Sequence, residues 1–379
     1  MLIARTKPIS PSKAYSFYSC KLRFLAETEQ TTLPKTPVGM AALLGTVTHM
    51  VIDRYLAKAH HNFEEVVHDL RVMLKNIILS TSSTASAVAY VLDKFGDGDV
   101  VTYGQIGQAA RYVDRVLREF VKKQPTGQRF SHHNTCPDFI GSEKKLDSAS
   151  LQIAGKPDLT YFSEDNTLIV VDFKTGRITT EDGINLNYLF QVACYGAILQ
   201  ELTGISNIQL RLIGSDADYN APLSADLLHQ VKYFSETVKR ELPLHIAFDA
   251  NQLATLGESC QSCSVRPGCS AYLKAMTSSG MEEKQFVSPF DAAGQVVEIS
   301  GDGELLTIQL EDVTGLLKQI RNIPSSLLKQ SIKVGHFVAM FNLNTQESSA
   351  RSKAFVNYFI IDTEKPQNSA FQSYIHVLQ

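Results

Sequence analysis

The sequence contains no tryptophan, no long hydrophobic run and no strong excess of either charge. No stretch approaches the roughly 18 consecutive apolar residues of a transmembrane helix, so we expect no membrane partner. The formal net charge is −3 at pH 7, which gives the whole chain no electrostatic drive toward polyanions. The opening residues MLIARTKPIS lack the apolar segment of a secretory signal, and we therefore expect a cytoplasmic protein.

Cysteine is sparse. The six cysteines are Cys20, Cys136, Cys194, Cys260, Cys263 and Cys269. A reducing cytoplasm disfavours disulfides, so these residues are better explained by a metal centre or by burial. We interpret Cys136 and Cys194, which stand apart from the others, as structural. The chain has 379 residues, 44% of them hydrophobic and 20% charged, as expected for an ordinary globular protein of two or three domains.

The hydrophobic pattern changes twice along the chain. Helical periodicity dominates up to about residue 124, beginning with the N-cap Ser10 and with Pro11. From about residue 136 the order is β-β-β-α-β, which predicts an α/β fold with a central mixed sheet flanked by helices. Beyond about residue 285 the pattern indicates a small β-rich module, for which an OB-like barrel is one candidate. We therefore predict two domains, 1–279 and 285–379.

Two carboxylates and a lysine stand out in the stretch GKPDLTYFSEDNTLIVVDFKTG. Asp158 is predicted at the start of one strand, and Asp172 and Lys174 at the end of the antiparallel strand that follows. Because side chains alternate along a strand, Asp172 and Lys174 point to the same face, beside Asp158. Two carboxylates in one cleft need a cation between them, and oxygen ligands favour Mg²⁺ or Mn²⁺. An Asp-x-Lys tripeptide alone, however, is more typical of a surface ion pair.

The wider motif series resembles the PD-(D/E)xK nuclease superfamily, in particular its RecB-like branch. The matching segments are GKPD, VVDFKTG and QVACY, in this order. The resemblance implies a restriction-endonuclease-like fold in which Asp158 and Asp172 bind the metal ion and Lys174 serves catalysis. It also implies that Gln191 and Tyr195, an i,i+4 pair on one helix face, meet the nucleic acid beside the metal.

The same resemblance implies two further site residues. The segment GTVTHMVIDRYL supplies Gly45 and His49 in a Gly-x-x-x-His helix, whose histidine is a further metal ligand in this branch. Glu143, in the segment GSEKKL one strand before Asp158, matches an acidic position often found in the family. The alternatives are ordinary, because a lone helical histidine is usually packed or solvated and a glutamate beside two lysines is usually exposed.

Three of the cysteines, Cys260, Cys263 and Cys269, form a C-x₂-C-x₅-C run. Thiolates at this spacing indicate a metal or cluster site, which needs a fourth ligand. The helix that holds Cys20 resembles the first motif of the iron–sulfur nucleases, as in the AddAB helicase–nuclease and the CRISPR-adaptation nucleases. In those proteins one N-terminal and three C-terminal cysteines hold a [4Fe–4S] cluster, and cysteine-only ligation suits that cluster. Structural zinc fits the same ligands.

These features predict a metal-dependent DNA nuclease that hydrolyses phosphodiester bonds, with Mg²⁺ or Mn²⁺ and a [4Fe–4S] cluster as cofactors. The family resemblance favours single-stranded DNA or DNA ends as the substrate, in repair, mobile-element processing or defence. Two alternatives stay open: a nucleic-acid-binding subunit of a helicase or transposition complex, and an RNA-directed nuclease. The chain carries no Walker A motif, so a helicase motor would belong to a partner protein.

The predicted C-terminal module offers basic and aromatic residues of the kind that suit single-stranded nucleic acid. They are Lys329, Lys333, His336, Phe341, Arg351, Lys353 and Phe355. The alternative is that the module packs on the nuclease domain or binds a protein partner.

Overall fold

The structure of the protein is a computed structural model. It describes residues 8–28, 33–36, 38, 40–58, 61–81, 103–120, 139–241, 250–301, 303–325, 328, 332–345, 356–359 and 374–378. The chain divides into two compact units: unit 1 is Met1–Gln30, Gly45–Leu70 and Gly107–Phe248, and unit 2 is Thr31–Leu44, Arg71–Ile106 and Asp249–Gln379. The boundary predicted near residues 279–285 lies within unit 2, and independent folding of residues 1–279 stays a prediction.

The helices of the described chain lie between Pro11 and Lys284. They are α1 (Pro11–Ala14), α2 (Ser16–Ser19), α3 (Lys21–Thr28), α4 (Met40–Leu56), α5 (Phe63–Thr81), α6 (Tyr103–Phe120), α7 (Leu186–Thr203), α8 (Ala225–Glu241), α9 (Ala250–Leu253), α10 (Ser270–Met276) and α11 (Met281–Lys284). The long helix α7 is capped at its N-terminus by Asn185, whose side chain accepts a hydrogen bond from the Asn187 amide at 3.0 Å. Gly204 caps its C-terminus, with a φ of 71° that is a left-handed conformation glycine adopts readily. Within the described ranges, no helix is long and apolar enough to cross a membrane.

Unit 1 is built on a mixed sheet. Its strands, in spatial order, are β1 (Gly141–Ser142), β4 (Leu159–Phe162), β5 (Leu168–Phe173), β8 (Ile208–Ile213) and β9 (Asp218–Pro222). Strands β5 and β8 are parallel, and the other neighbours are antiparallel. Two small ribbons pair β2 (Leu146–Ser148) with β3 (Ile153–Gly155), and β6 (Thr179–Thr180) with β7 (Gly183–Ile184).

Helices pack on both faces of this sheet because its central strand β5 is apolar on both sides. Leu168 and Val170 belong to the core that includes residues of α7 and α8. On the opposite face, the Phe173 ring meets the Phe120 ring of α6 edge-on, with centroids 5.7 Å apart. Asp172 shares the face of Val170 and therefore points toward α7. The predicted α/β fold, a central mixed sheet flanked by helices, is confirmed.

Unit 2 contains the β-rich module predicted at the C-terminus. Its strands are β10 (Ala292–Gly301), β11 (Leu305–Glu311), β12 (Leu317–Pro324), β13 (Phe337–Phe341), β14 (Asn344–Thr345), β15 (Val356–Phe359) and β16 (Tyr374–Leu378). Their spatial order is β14-β15-β12-β11-β10-β13-β16. An antiparallel hairpin joins β10 to β11. Gly301 at its turn has φ 145°, and a Cβ atom there would lie only 2.3 Å from the Leu305 carbonyl oxygen, so the turn requires glycine.

A buried ion pair joins the cysteine run to this sheet within unit 2. Nε of Arg266 lies 2.9 Å from Oδ2 of Asp291, and Nη2 of Arg266 donates a hydrogen bond to Oδ1 of Asp291 at 3.4 Å. The two side chains are 3% and 0% exposed. Asp291 also accepts hydrogen bonds from the Tyr272 hydroxyl at 2.7 Å and from the Asn342 amide at 2.9 Å. These contacts join residues that are far apart in sequence, so no local sequence pattern records them. Composition alone therefore predicts a domain boundary near residues 279–285, between Arg266 and Asp291.

Candidate active site

Asp158 lies beside Asp172 across two neighbouring strands. The antiparallel register places it there, because Leu159 of β4 pairs with Val171 of β5. The Asp158 carboxylate is held from two sides. Its Oδ2 atom accepts a hydrogen bond from the backbone amide of Phe173, and its Oδ1 atom lies 2.9 Å from Nδ1 of His49. The structure therefore brings the two acids together at the end of β5.

Gln191 connects Asp172 with Lys174. Its side-chain NH₂ group donates to Oδ1 of Asp172 at 2.9 Å, and its side-chain oxygen accepts from Nζ of Lys174 at 2.9 Å. Nζ of Lys174 also lies 2.7 Å from Oδ2 of Asp172. The side chains of Asp172 and Lys174 are 3% and 16% exposed, which distinguishes this contact from a surface ion pair. The three groups form a closed triangle, which we call the Asp172–Lys174–Gln191 triangle.

Tyr195 lies four residues beyond Gln191 on α7 and is buried close to the triangle. Burial, together with the nearby charge of Asp172, raises the pKa of the Tyr195 hydroxyl. A Cβ atom on Gly155 would lie 2.9 Å from Cε1 of Tyr195 and 2.8 Å from Cδ of Pro11, so this close packing requires glycine. Gln191 and Tyr195 are only 9% and 4% exposed, so little of either side chain is accessible from outside the site.

Helix α4 reaches the site through Gly45 and His49. A Cβ atom on Gly45 would lie 3.2 Å from Oγ1 of Thr175, so the missing side chain lets the helix approach the loop that follows Lys174. One turn later, the imidazole of His49 faces Asp158. Burial lowers the pKa of His49, but the charge of Asp158 and the hydrogen bond to it outweigh that effect, and the pKa is raised overall. The histidine of the Gly-x-x-x-His helix thus lies at the acidic site.

Glu143 lies at the edge of the same site. Its backbone amide donates to the Asp158 carbonyl at 3.3 Å, and its φ of 52° is uncommon for a residue other than glycine. Burial, and the negative charge of Asp158 beside it, raise the pKa of the Glu143 carboxyl. The neighbouring Ser142 hydroxyl donates to Oδ1 of Asp53 at 2.6 Å, which ties β1 to α4. Glu143 is therefore a half-buried neighbour of Asp158 and not a freely solvated surface residue.

Two tyrosines that the motif series does not include also meet this site. The centroid of the Tyr188 ring lies 4.8 Å from Nζ of Lys174. The Tyr112 hydroxyl donates to the Ile213 carbonyl at 2.7 Å, and the same carbonyl accepts from the Lys174 amide at 2.8 Å. Tyr188 lies three residues before Gln191, so helical spacing could have identified it. Tyr112 lies on α6, far from the motifs in sequence, and no local signal points to it.

The donor set suits a hard divalent cation. Burial raises the pKa of the Asp172 carboxyl to about 6, against the opposing charge of Lys174. The Oδ2 atom of Asp172 is buried and lies 2.7 Å from Nζ of Lys174, so in this structure the lysine ammonium group balances its charge. Carboxylate oxygens and an imidazole nitrogen are ligands that Mg²⁺ and Mn²⁺ accept. Among the residues described, no group of three or more His, Cys, Asp or Glu is already arranged around a metal position. His49 and Asp158 contact each other instead.

The cysteines of the predicted cluster are buried. Cys20, Cys260, Cys263 and Cys269 are 9%, 8%, 8% and 8% exposed. Cys20 lies between α2 and α3 in unit 1, and the other three lie in unit 2 around the 3₁₀ turns Glu258–Ser262 and Arg266–Gly268. Cys194 is fully buried inside α7, where burial raises the pKa of its thiol. Cys136 lies outside the described residues.

The C-terminal residues predicted to meet nucleic acid differ in their exposure. Phe341 is fully buried, so the prediction that its ring is available to stack on a base is wrong. Its ring instead packs against Tyr272, with centroids 6.5 Å apart. Lys333 is exposed and His336 is half-buried, both in the turn before β13. The remaining candidates, Lys329, Arg351, Lys353 and Phe355, lie outside the part of the chain that the structure describes.

Parts of the chain are similar to known proteins. The chain is 25% identical over 163 residues to an ATP-dependent helicase/nuclease subunit of Clostridium kluyveri, a match that covers 42% of this chain and 12% of that protein. The chain thus spans only a small part of that relative's length. It is also similar to the crystal structure of a proposed exonuclease from Eubacterium rectale, with 13% identity and a TM-score of 0.34, over 61% of this chain and 78% of that one.

The sequence profile of the PD-(D/E)XK nuclease superfamily matches residues 8–270. This match covers well over half of the chain and includes the acids, the lysine and the α7 pair described above. The chain therefore belongs to the PD-(D/E)XK nuclease superfamily, whose members are hydrolases of nucleic acid.

Proposed function

We propose that the protein is a metal-dependent DNA nuclease that hydrolyses phosphodiester bonds. The observation that carries this proposal is the buried Asp172–Lys174–Gln191 triangle, with Asp158 beside it. A structural ion pair at a strand end requires neither a second carboxylate nor an amide that fixes both partners. A hydrolytic site requires acidic ligands for a cation and a cationic side chain held at a fixed position.

The acidic side of the site would hold the metal ion. His49, Asp158 and Asp172 are the proposed ligands of Mg²⁺ or Mn²⁺, and Glu143 is an additional acidic residue at the edge. When bound, the cation polarises the phosphate and lowers the pKa of a water molecule beside it.

Lys174, which directly follows β5, and two residues of α7 would position the substrate. The ammonium group of Lys174 neutralises negative charge that develops on the phosphate, because the triangle holds it next to the carboxylates. Gln191 keeps the carboxylate of Asp172 and the ammonium group of Lys174 in one orientation. Tyr195 contributes a buried hydroxyl below them, and we propose that Gln191 and Tyr195 meet the nucleic acid at the floor of the site.

Single-stranded DNA or a free DNA end is the proposed substrate, with action from an end as an exonuclease. This rests on resemblance to the RecB-like branch and on the similarity to part of a protein named as a helicase/nuclease component. The same similarity supports the proposal that the protein works with a helicase.

A [4Fe–4S] cluster held by Cys20, Cys260, Cys263 and Cys269 is proposed as a second cofactor, with zinc as the alternative. The spacing and burial of the cysteines support a thiolate site. Anaerobically purified protein should be brown and contain iron and sulfide, and Cys263→Ser should lose both. Cys194→Ser, which changes a cysteine inside α7, is the control and should keep them. Stoichiometric zinc without iron would instead identify a zinc site.

The C-terminal module is proposed to be an OB-type barrel that binds single strands. The strand pairing supports this, because β12 and β15 are parallel and β10 pairs with both β11 and β13. Strands β13 and β14 are close in sequence and lie near opposite ends of the strand order. If they are two parts of one strand, the order β14-β15-β12-β11-β10-β13 forms a closed ring, as in such a barrel. Removal of the positive charge of Lys333 should then reduce the slope of log affinity against log salt concentration for DNA binding, by the amount expected for about one phosphate contact. An unchanged slope would favour a protein partner for this surface.

The experiment that tests the proposed function uses purified full-length protein with end-labelled single-stranded DNA, double-stranded DNA and RNA. We expect cleavage of DNA with Mg²⁺ or Mn²⁺ and none with a chelator. Binding without cleavage under every metal condition would support a nucleic-acid-binding role within a larger complex. Faster cleavage of RNA than of DNA would support an RNA-directed nuclease.

A further inference from the structure

An aromatic ring that belongs to no predicted motif covers the lysine of the candidate site. Tyr188 lies in the first turn of α7, and the centroid of its ring is 4.8 Å from Nζ of Lys174. Lys174 is largely buried, with a side-chain exposure of 16%. A cation over an aromatic face is attracted to the electron-rich ring, and this attraction increases when water is excluded.

The ammonium group of Lys174 has three described neighbours. They are Oδ2 of Asp172, the side-chain oxygen of Gln191 and the Tyr188 ring. The last two come from the same face of α7, because they lie three residues apart. Neither of them is a proposed metal ligand, so both remain available to the lysine when the carboxylate of Asp172 serves a cation.

We propose that Tyr188 is a positioning residue of the nuclease reaction, whose ring face holds the ammonium group of Lys174 at the carboxylates. This inference rests on the proposed nuclease function. A purely structural role for Tyr188 is the alternative, since its ring also packs against the core of unit 1. Packing depends on the volume of the side chain, whereas attraction of a cation depends on the aromatic ring. The two roles therefore respond differently to the same substitutions.

A third role would be stacking of a substrate base on the Tyr188 ring. Stacking contributes to the affinity for the strand, so its loss would appear mainly in KM. Loss of lysine positioning would appear mainly in kcat, because the lysine is needed at the reacting phosphate.

The test compares Tyr188→Phe, which keeps the ring, with Tyr188→Leu, which keeps an apolar side chain but removes the ring. On single-stranded DNA with Mn²⁺ we expect the phenylalanine variant to match the wild type. The leucine variant should lose about fivefold to thirtyfold in kcat with KM unchanged. Equal kcat values for both variants, or a change confined to KM, would overturn the proposal.

A stability measurement tests the same contact without catalysis. In the chain with Lys174, Tyr188→Leu should unfold about 2–4 °C further below Tyr188→Phe than it does in a Lys174→Met background, where only the difference in packing remains. An equal difference in both backgrounds would mean packing alone and would overturn the proposal. If the wild type did not cleave nucleic acid at all, the proposed function would fail, while this comparison would still decide whether the ring holds the lysine.

Discussion

The side-chain NH₂ group of Gln191 donates a 2.9 Å hydrogen bond to Oδ1 of Asp172, and both side chains are buried. The other oxygen of that carboxylate lies 2.7 Å from Nζ of Lys174. Gln191 therefore determines which carboxylate oxygen faces the lysine. A residue that the family resemblance assigns to nucleic-acid contact is, in this structure, also the group that orders the acid and the lysine.

Removal of this amide should slow cleavage while leaving the fold intact. Gln191→Leu should lower the single-turnover rate by about tenfold to a hundredfold, as is usual when a group that orients a metal ligand is removed. The control is Gln200→Leu, a half-buried glutamine on the same helix. Equal rates for the two variants would contradict the orienting role of Gln191.

Gly155→Ala should destabilise the protein by about 1–3 kcal/mol, because the new methyl group would overpack against Tyr195 and Pro11. The measurement is urea unfolding followed by circular dichroism, since the sequence has no tryptophan. Gly257→Ala is the matched control, because a Cβ atom at Gly257 meets nothing within 4 Å. Equal stabilities for the two alanine variants would show that the packing around Gly155 is loose.

Arg266→Met should destabilise unit 2 by about 3–5 kcal/mol, since it leaves the Asp291 carboxyl buried without its cation. Burial already raises the pKa of Asp291, and Arg266 opposes that rise. Arg240→Met is the control, because Arg240 is 67% exposed and its ion pair with Glu241 should contribute no more than about 1 kcal/mol. Faster hydrogen exchange at the amides of β10 and β13 in the Arg266→Met variant would show that the stability is lost in unit 2.

The same experiment examines the domain boundary. If Arg266→Met also lowers the metal or cluster content proposed for the C-terminal cysteines, the β-module supports the cysteine run, and residues 1–279 are not an independent domain. Full retention of the metal and of stability would favour the boundary predicted from sequence.

Asp312 should make unit 2 sensitive to acid. Burial raises the pKa of this carboxyl, but hydrogen bonds from Thr314 and the charge of Lys318 outweigh the rise, and the pKa is lowered to about 2. The ordinary value is 3.8, so its contribution to stability is present above about pH 4 and is lost as the pH falls toward about 2. Asp312→Asn should be less stable at neutral pH and should show a weaker pH dependence in this window. A parallel pH dependence in both proteins would contradict this assignment.

The sequence alone predicts much of this site because the information is local. The period of two along β5 places Asp172 and Lys174 on one face, and the period of 3.6 along α7 places Gln191 and Tyr195 together. Both placements depend only on neighbouring residues. The same reasoning would have reached Tyr188, which lies on that face of α7.

Other features depend on contacts that no local pattern records. Tyr112 meets Ile213 although 101 positions separate them. Arg266 finds Asp291 across a segment whose composition resembles a linker. Residue type alone predicts Phe341 at a binding surface, yet its strand turns the ring into the core. In each case the long-range packing decides the outcome.

Cleavage by matched lysine variants tests the central claim most directly. The wild type, Lys174→Met and Lys232→Met would be compared on end-labelled single-stranded DNA with Mn²⁺, where Lys232 is an exposed lysine on α8. We predict that Lys174→Met is folded and loses about 10²–10³-fold in rate, while Lys232→Met cleaves like the wild type. Cleavage by Lys174→Met at the wild-type rate would contradict the proposed active site.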